Sequence, residues 1–261
     1  MTKYKISLNS LSQQINGFEP VSLENLKKAE LLDRKEVKYV FERDLLERIL
    51  EELQDHYFIL DIGGKRQFKY LSQYFDTENL HFFHQHRSGR LNRYKVRKRQ
   101  YLDSGLAFFE VKFKNNHGRT MKSRIETEFP AKGEILHDEN AFLQEISPFF
   151  REILEPTVSV SYNRVTLVNK TSSERVTIDL NLRVSRDGKE KGFEDLVVLE
   201  VKQDKLKQTE IRKRLKKLGQ RPGTISKYCL GIISSQDDVR YNRLKPAFDK
   251  LYKPFLKTLN K

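Results

Sequence analysis

From Arg93 to Phe129 charged and apolar residues alternate with the two-residue period of strands buried on one face. Arg93, Lys95, Arg97 and Arg99 fall on one side of the first segment, which ends at Tyr101. Glu110, Lys112 and Lys114 stand opposite Phe109, Val111 and Phe113. Lys122, Arg124, Glu126 and Glu128 stand opposite Met121, Ile125 and Phe129. Turn residues at Asp103-Ser104-Gly105 and Asn115-Asn116-His117-Gly118 separate the three strands. The period returns where Arg175, Thr177, Asp179, Asn181 and Arg183 alternate with Val176, Ile178, Leu180, Leu182 and Val184, and where Glu200 and Lys202 alternate with Leu199 and Val201. Arg34–Phe41, Phe68–Phe75 and Thr157–Val168 also read as strands. Helical spacing covers Arg43–Leu53, with Leu45, Leu46, Ile49, Leu50 and Leu53 on one face. Further helices are predicted at Ser22–Leu31 with Ser22 as N-cap, up to about His86, at Glu139–Ile153 with a break at Pro148, at Leu206–Leu218, at Ser226–Ile233, and within 240–259 (Asn242 to Leu259). About eight strands with interspersed helices and no βαβ rhythm predict an α+β fold with a mainly antiparallel sheet. The 261 residues are expected to form a single domain with its core at about 31–233.

Like charges on one strand face repel, so such a face is either solvated or lines a site for a polyanion. Single strands do not decide between a sheet with its charged face in water and a barrel with that face inside. The density of Arg and Glu, with little Ser or Thr between them, favours the barrel. Composition sharpens the polyanion reading: 50 Lys and Arg against 36 Asp and Glu leave a net charge of +14, suited to phosphates, nucleic acid or an anionic surface. Seventeen Phe and 11 Tyr allow a sizeable core. The single cysteine, Cys229, excludes an intrachain disulfide and suggests a reducing compartment. The N-terminal segment lacks a signal-peptide apolar region, and no apolar run approaches the ~20 residues of a membrane helix. The expectation is a cytoplasmic chain with no direct membrane span, brought to any membrane by a protein partner.

Neither a P-loop, a dinucleotide-binding glycine fingerprint nor an H-E-x-x-H pair is present. His81, His84 and His86 fit a surface helix better than a metal site. Asp76-Thr77 reads as a strand-ending turn or helix cap. Asp179 reads as an ion-pair partner, while Glu36 and Glu110 fit ion pairing and metal ligation equally. Arg124 and Arg183 suit a tunnel lining or a solvated face. The basic stretch with Lys205, Lys207, Arg212, Lys213, Arg214, Lys216 and Lys217 reads first as a solvated face; guiding polyphosphate, or docking on acidic lipid or a membrane partner, are the other readings.

Several short motifs then occur in a telling order: Glu36-Val37-Lys38-Tyr39, Gln73-Tyr74-Phe75-Asp76-Thr77, Arg97-x-Arg99-x-Tyr101 and Glu110-Val111-Lys112. They continue as Lys122-Ser123-Arg124, Ser161-Tyr162-Asn163-Arg164, Leu199-Glu200-Val201-Lys202 and Ser226-Lys227-Tyr228. The series, spanning about Leu31 to Ile233, resembles the VTC domain, the polyphosphate polymerase branch of the triphosphate tunnel metalloenzymes (the CYTH-like superfamily). The resemblance implies an eight-stranded antiparallel β-barrel tunnel with a charged interior, flanked by helices. It implies transfer of the ATP γ-phosphate to a polyphosphate chain with Mn²⁺ or Mg²⁺. By the same resemblance Lys38, Arg97, Arg99, Lys112, Lys122, Arg164 and Lys227 are phosphate ligands. Of these, Arg97, Arg99, Lys112, Arg164 and Lys227 form the catalytic set. Tyr162 positions phosphate, Ser226 donates a hydrogen bond near the site, and Glu200 is the main metal ligand.

The chemistry of these residues agrees with that assignment. Arg offers a planar fork for bidentate phosphate contacts and Lys a compact point charge. Phosphoryl transfer needs positioning and charge neutralisation more than a protein nucleophile. The chain departs from the family pattern at Gln100, where an aromatic is expected, and at Thr224, where a basic residue is expected. Two other phosphate-directed readings are a triphosphatase acting on inorganic or nucleoside triphosphate, and a non-catalytic polyphosphate or nucleotide sensor. Nucleic acid is disfavoured as a partner because carboxylates share the strand faces with the cations.

Overall fold

The computed structural model describes residues 8–28, 35–129, 133–146, 153–204, 207–223 and 225–259. In chain order the elements are α1 (Leu8–Asn16), β1 (Glu19–Val21), α2 (Leu23–Lys28), β2 (Lys35–Glu42), α3 (Arg43–Glu51), β3 (Tyr57–Leu60) and β4 (Phe68–Asp76). Then come α4 (His81–Arg87), β5 (Arg93–Tyr101), β6 (Ala107–Lys114), β7 (Thr120–Thr127), α5 (His137–Ile146), β8 (Glu155–Asn169) and β9 (Arg175–Arg186). The chain ends with β10 (Lys189–Phe193), β11 (Leu196–Gln203), α6 (Glu210–Lys217), α7 (Lys227–Ser235), α8 (Lys245–Leu251), a short 3₁₀ turn and β12 (Lys257–Leu259). The chain divides into two compact units: 1–68, 163–181 and 194–224 form the first, and 69–162, 182–193 and 225–261 the second.

In the first unit β2 pairs antiparallel with β11, and β11 with the first half of β9. β1 pairs parallel with β3, and β3 antiparallel with β8. Alternation sends Val176, Ile178 and Leu180 of β9 and Val197, Leu199 and Val201 of β11 into one core. There they meet Leu46, Ile49 and Leu50 of α3 and Ile211 and Leu215 of α6. Each such fully buried side chain contributes about 1.5–3 kcal/mol relative to exposure. The opposite faces of the same strands carry Lys38, Glu200, Lys202, Thr177 and Asp179.

The second unit holds an antiparallel meander of β4, β5, β6 and β7. The second half of β9 pairs with β10, and β10 with β12. The meander's turns form as the sequence predicts. Asn115 Oδ1 accepts from the amides of His117 and Arg119, and Gly118 takes φ +76°, a conformation that L side chains rarely adopt. The apolar face buries Phe109 and Val111 beside Phe75, with Phe75 and Phe109 rings 5.9 Å apart. The Asp76 carboxylate closes β4 by accepting from the amides of Phe82 and Phe83 at 2.9 Å, so it starts α4 as a helix cap.

The α+β, mainly antiparallel architecture stands as expected. The strand count differs: twelve strands are present among the described residues rather than about eight. β1, β3, β10 and β12 are only three to five residues long, too short for alternation to reveal them. The pairings do not close into a ring among the described residues, because β7 pairs only with β6 and β12 only with β10. The closing helix expected within 240–259 is corrected to α8, a 3₁₀ turn at Lys253–Phe255 and β12; Pro254 lies in that turn and cannot extend a helix through it. Thr224, Lys205, Leu206 and Pro148 lie outside the described residues. No helix among the described residues is long and apolar enough to cross a membrane.

Candidate functional site: two cation-bearing sheet faces

In the second unit the strand register gathers the charges that the sequence shows only in line. Lys95, Lys112 and Lys122 are successive cross-strand partners on β5, β6 and β7, as are Arg97, Glu110 and Arg124. Glu110 sits at the centre, fully buried. Arg97 Nε donates to it at 2.6 Å, and Lys122 Nζ forms an ion pair with its other oxygen. Burial pushes the Glu110 carboxyl up, but Arg97, Arg99 and Lys122 together hold it far below the ordinary range. Burial alone would lower Arg97; Glu110, with Tyr74 and Tyr162, more than offsets this and raises it. Burial brings Lys122 down to about 8 against the pull of Glu110, with Arg97 and Arg99 adding repulsion.

Aromatic rings frame the same face. Arg99 donates to Ser72 Oγ at 3.3 Å and lies 5.6 Å from the Tyr70 ring centroid. Tyr70 stacks on Tyr162 at 5.3 Å, and Lys227 Nζ lies 4.6 Å from the Tyr162 ring centroid. Lys227 is the first residue of α7, where the helix dipole disfavours a cation and favours an anion. Ser226 caps that helix, its Oγ accepting from the Cys229 amide at 3.1 Å. Thus Arg97, Arg99, Lys112, Lys122, Tyr162, Ser226 and Lys227 all belong to the second unit.

Lys38, Arg164 and Glu200 belong to the first. Glu200 lies between two lysines, with Lys202 Nζ at 2.6 Å and Lys38 Nζ at 3.0 Å. Burial would raise its carboxyl; Lys202, Lys38 and Arg164 outweigh it and hold the group well below the usual value. Lys38 also reaches Glu36 at 3.3 Å. Burial pulls Lys38 down, and Glu200 and Glu36 more than restore it. Arg164 forks onto Asp179 at 2.6 and 2.8 Å, the ion pairing expected of Asp179. Glu36 and Glu110 are likewise ion-paired.

No cluster of three or more His, Cys, Asp or Glu that could hold a metal occurs among the described residues. His81, His84 and His86 lie on α4, and His86 is pushed down to about 2 by burial, with Lys95 and Arg93 adding repulsion. Glu200 brings a single carboxylate set between two lysines, so a divalent ion held there would need most of its oxygen ligands from outside the protein.

Sequence reasoning passed over Lys202 and Lys95 as site residues. Cross-strand register supplies the missing signal, because Lys95 lies opposite Lys112 and Lys202 opposite Glu36. Lys98 was hidden differently. It lies on the apolar face of β5, wholly buried, pairing with Glu139 at 3.0 Å and donating to the Glu134 carbonyl at 2.9 Å. Arg124 is exposed, its guanidinium 4.5 Å from the Phe108 ring centroid.

An α+β sheet protein with cation-rich strand faces thus stands defined. Among solved structures the chain is similar to HpAC1 from Hippeastrum, a putative adenylyl cyclase described as having a dominant triphosphatase activity. The likeness has 11% identity over 80% of this chain and 100% of that one, at a TM-score of 0.50. It is also similar to the PH1012 protein of Pyrococcus horikoshii OT3 (14% identity, 71% and 90% covered, TM-score 0.38) and to the Pct1 RNA triphosphatase of S. pombe (9%, 95% and 92%, 0.27). At 11% identity the likeness to HpAC1 concerns the fold alone. No curated protein sequence matches the chain. Residues 33–236 match the VTC domain, and the chain belongs to that family.

Proposed function

We propose that this chain is a metal-dependent phosphotransferase of the triphosphate tunnel type that passes the γ-phosphoryl group of ATP to a polyphosphate chain. The observation that carries the reading is the second unit's sheet face. There Arg93, Lys95, Arg97, Arg99, Lys112, Lys114, Lys122 and Arg124 of β5, β6 and β7 share a face with Glu110 and Glu126 of the same strands and Asp76 of β4. A face so unbalanced is suited to a multiply charged anion, and membership of the VTC family supports a phosphate chain as that anion.

The residues divide the work by chemistry. Arg97 and Arg99 offer forks to phosphate oxygens, and Lys112, Lys122 and Lys227 neutralise charge as it moves. Glu110 holds Arg97 through its Nε and one terminal nitrogen, which fixes the direction in which the guanidinium faces a ligand. Tyr162 and Ser226 border Lys227 and set its reach. Lys38 and Arg164 are phosphate ligands of the first unit, and Glu200 would hold Mn²⁺ or Mg²⁺ together with phosphate oxygens. When bound there, such an ion supplies further charge neutralisation. In the transfer, the bond from the γ-phosphorus to the ADP oxygen breaks, and a bond to the terminal oxygen of the chain forms. That acceptor oxygen is already ionised and needs no base. Hydrolysis would need water to be activated, and Glu110 and Glu200, both held far below the usual range, are weak bases.

Phosphorus NMR of purified protein with ATP and Mn²⁺ tests this. Growing internal-phosphate signals with accumulating ADP are expected, lost in the Arg97→Ala, Arg99→Ala double variant. Orthophosphate or diphosphate as sole products would replace the proposal with a triphosphatase. Tight phosphate binding without turnover would make the chain a binding subunit, a role in which a membrane-protein partner would supply the context.

A further inference from the structure

The basic helix α6 borders a cavity on the other side of β2 from Lys38 and Glu200. Ile211 and Leu215 anchor α6 in the first unit's core, which fixes where its cations point. Gly219, at φ +72°, ends the helix. The Gly219 amide returns to the Lys216 carbonyl at 3.0 Å and the Gln220 amide to Leu215 at 2.8 Å. This reversal brings Arg221 and Pro222 back beside the helix, and the Gly223 amide then donates to the Lys38 carbonyl at 2.9 Å. The result is a cavity of about 430 Å³ whose cations are Arg212, Lys216 and Arg221, with buried Tyr39 against it. No acidic residue lines it. That volume lies within the roughly 300–1,000 Å³ of small-molecule sites.

The charges around this cavity are unevenly satisfied. Lys213 and Arg214, on the same helix, have carboxylate partners in Glu210 and Glu52. Lys216 and Arg221 have none among the described residues. Arg212 donates through one terminal nitrogen to the Lys207 carbonyl at 2.7 Å, and its buried Nε has no hydrogen-bond partner among the described residues. Arg212 also feels the Glu174 carboxylate, but Lys216 and Arg221 face the cavity with no acid in its lining, and such a concave wall matches a soluble anion bearing several phosphate oxygens. The Lys38–Glu200 cluster is a separate feature: Lys38 and Tyr39 are consecutive on β2, so their side chains leave by opposite faces.

We propose that this cavity binds a compact phosphate-bearing anion, independently of the sheet faces. Inorganic triphosphate without metal, titrated calorimetrically at low salt, is the probe. Two binding events are expected for the parent protein. Lys216→Gln with Arg221→Gln should weaken one of them about a hundredfold, at about tenfold for each charge-assisted contact. The remaining event should disappear in Arg97→Ala, Arg99→Ala. Both glutamine positions are exposed, so folding is retained, and circular dichroism checks it. An unchanged stoichiometry in the glutamine variant overturns the cavity site. An unchanged stoichiometry in the Arg97, Arg99 variant counts instead against the sheet-face reading and leaves the cavity comparison intact. Co-sedimentation with phosphatidylserine vesicles separates the sources. Vesicle binding lost in the glutamine variant, with triphosphate stoichiometry unchanged, would give these cations to a lipid surface and overturn the proposal.

Discussion

The sheet face of the second unit carries eight cations against Asp76, Glu110 and Glu126, whereas on the first unit's face the cations at the site are matched by acids. Lys38 and Lys202 share Glu200, and Arg164 is held by Asp179. Both faces come from the same strand alternation, yet they differ in what they can bind. A face with excess charge gains from an anion directly. A balanced face must exchange internal ion pairs for external ones, which suits a ligand bringing both signs, such as a metal with phosphate. Glu110 and Glu200 mark the difference. Both are held below the usual carboxylate range by flanking cations, but Glu110 is wholly buried as an anchor for Arg97, and Glu200 stands on the balanced face.

Neutralising the two carboxylates one at a time is the strongest way to break that comparison. Glu200→Gln is expected to lower Mn²⁺-supported turnover by at least about 100-fold, an electrostatic loss of about 2.7 kcal/mol in the transition state. Metal-free triphosphate binding should survive it. Glu110→Gln should do the reverse: metal-free binding tightens as a competing negative charge leaves, and thermal stability falls. Because folding depresses the Glu110 value, its stabilisation is present above its unfolded value near 4.5 and is lost as pH falls through the folded value. The melting-temperature gap between Glu110→Gln and the parent should therefore be full at pH 7 and close only in strong acid. Equal turnover and equal metal response in the two variants would erase the distinction between the faces.

Lys98 tests whether burial of charge in the second unit always serves ligand binding. Its ammonium is wholly buried on the apolar side of β5 against Glu139, away from the cation face. Removing one member of a buried pair leaves the other uncompensated, at about 3–5 kcal/mol. Lys98→Ala should lower stability in denaturant by that amount. Lys98→Met with Glu139→Leu should recover most of it, and phosphate affinity should hardly change in the double variant. A large loss of affinity there would tie Lys98 to the site.

Much of this was legible along the chain, for reasons that also explain what was not. Alternation located β5, β6, β7, β9 and β11, because each runs eight residues or more with one apolar side. It assigned Arg97, Arg99, Lys112 and Lys122 to charged faces but gave no register, so the row of Lys95, Lys112 and Lys122 was invisible. It missed Lys98 because a buried lysine is tolerated only by a carboxylate remote in sequence, here Glu139. Strands such as β1 and β12, three residues each, owe their existence to a neighbour's free edge and leave no pattern. Ser226 was expected near phosphate; its Oγ already caps α7, a role encoded by its place ahead of the helix.

The smallest effect concerns pH. Lys122, brought to about 8 by burial, loses its charge in a range where Arg97 and Arg99 do not. A protonated Lys122 favours the anion, so phosphate affinity should stay flat below pH 8 and fall by up to about tenfold per unit above it, until the bound-state value is reached. Stability should move the opposite way. A lysine lowered from 10.5 destabilises the fold while charged, and that cost is relieved as pH rises from about 8 toward 10.5. Lys122→Arg keeps the charge throughout and should remove the affinity step while leaving binding at pH 7 within about threefold, the order of one modest contact. Titrations of both proteins from pH 6.5 to 9.5 decide it. A step that persists in Lys122→Arg would assign the titration to another group and detach Lys122 from the phosphate-facing set.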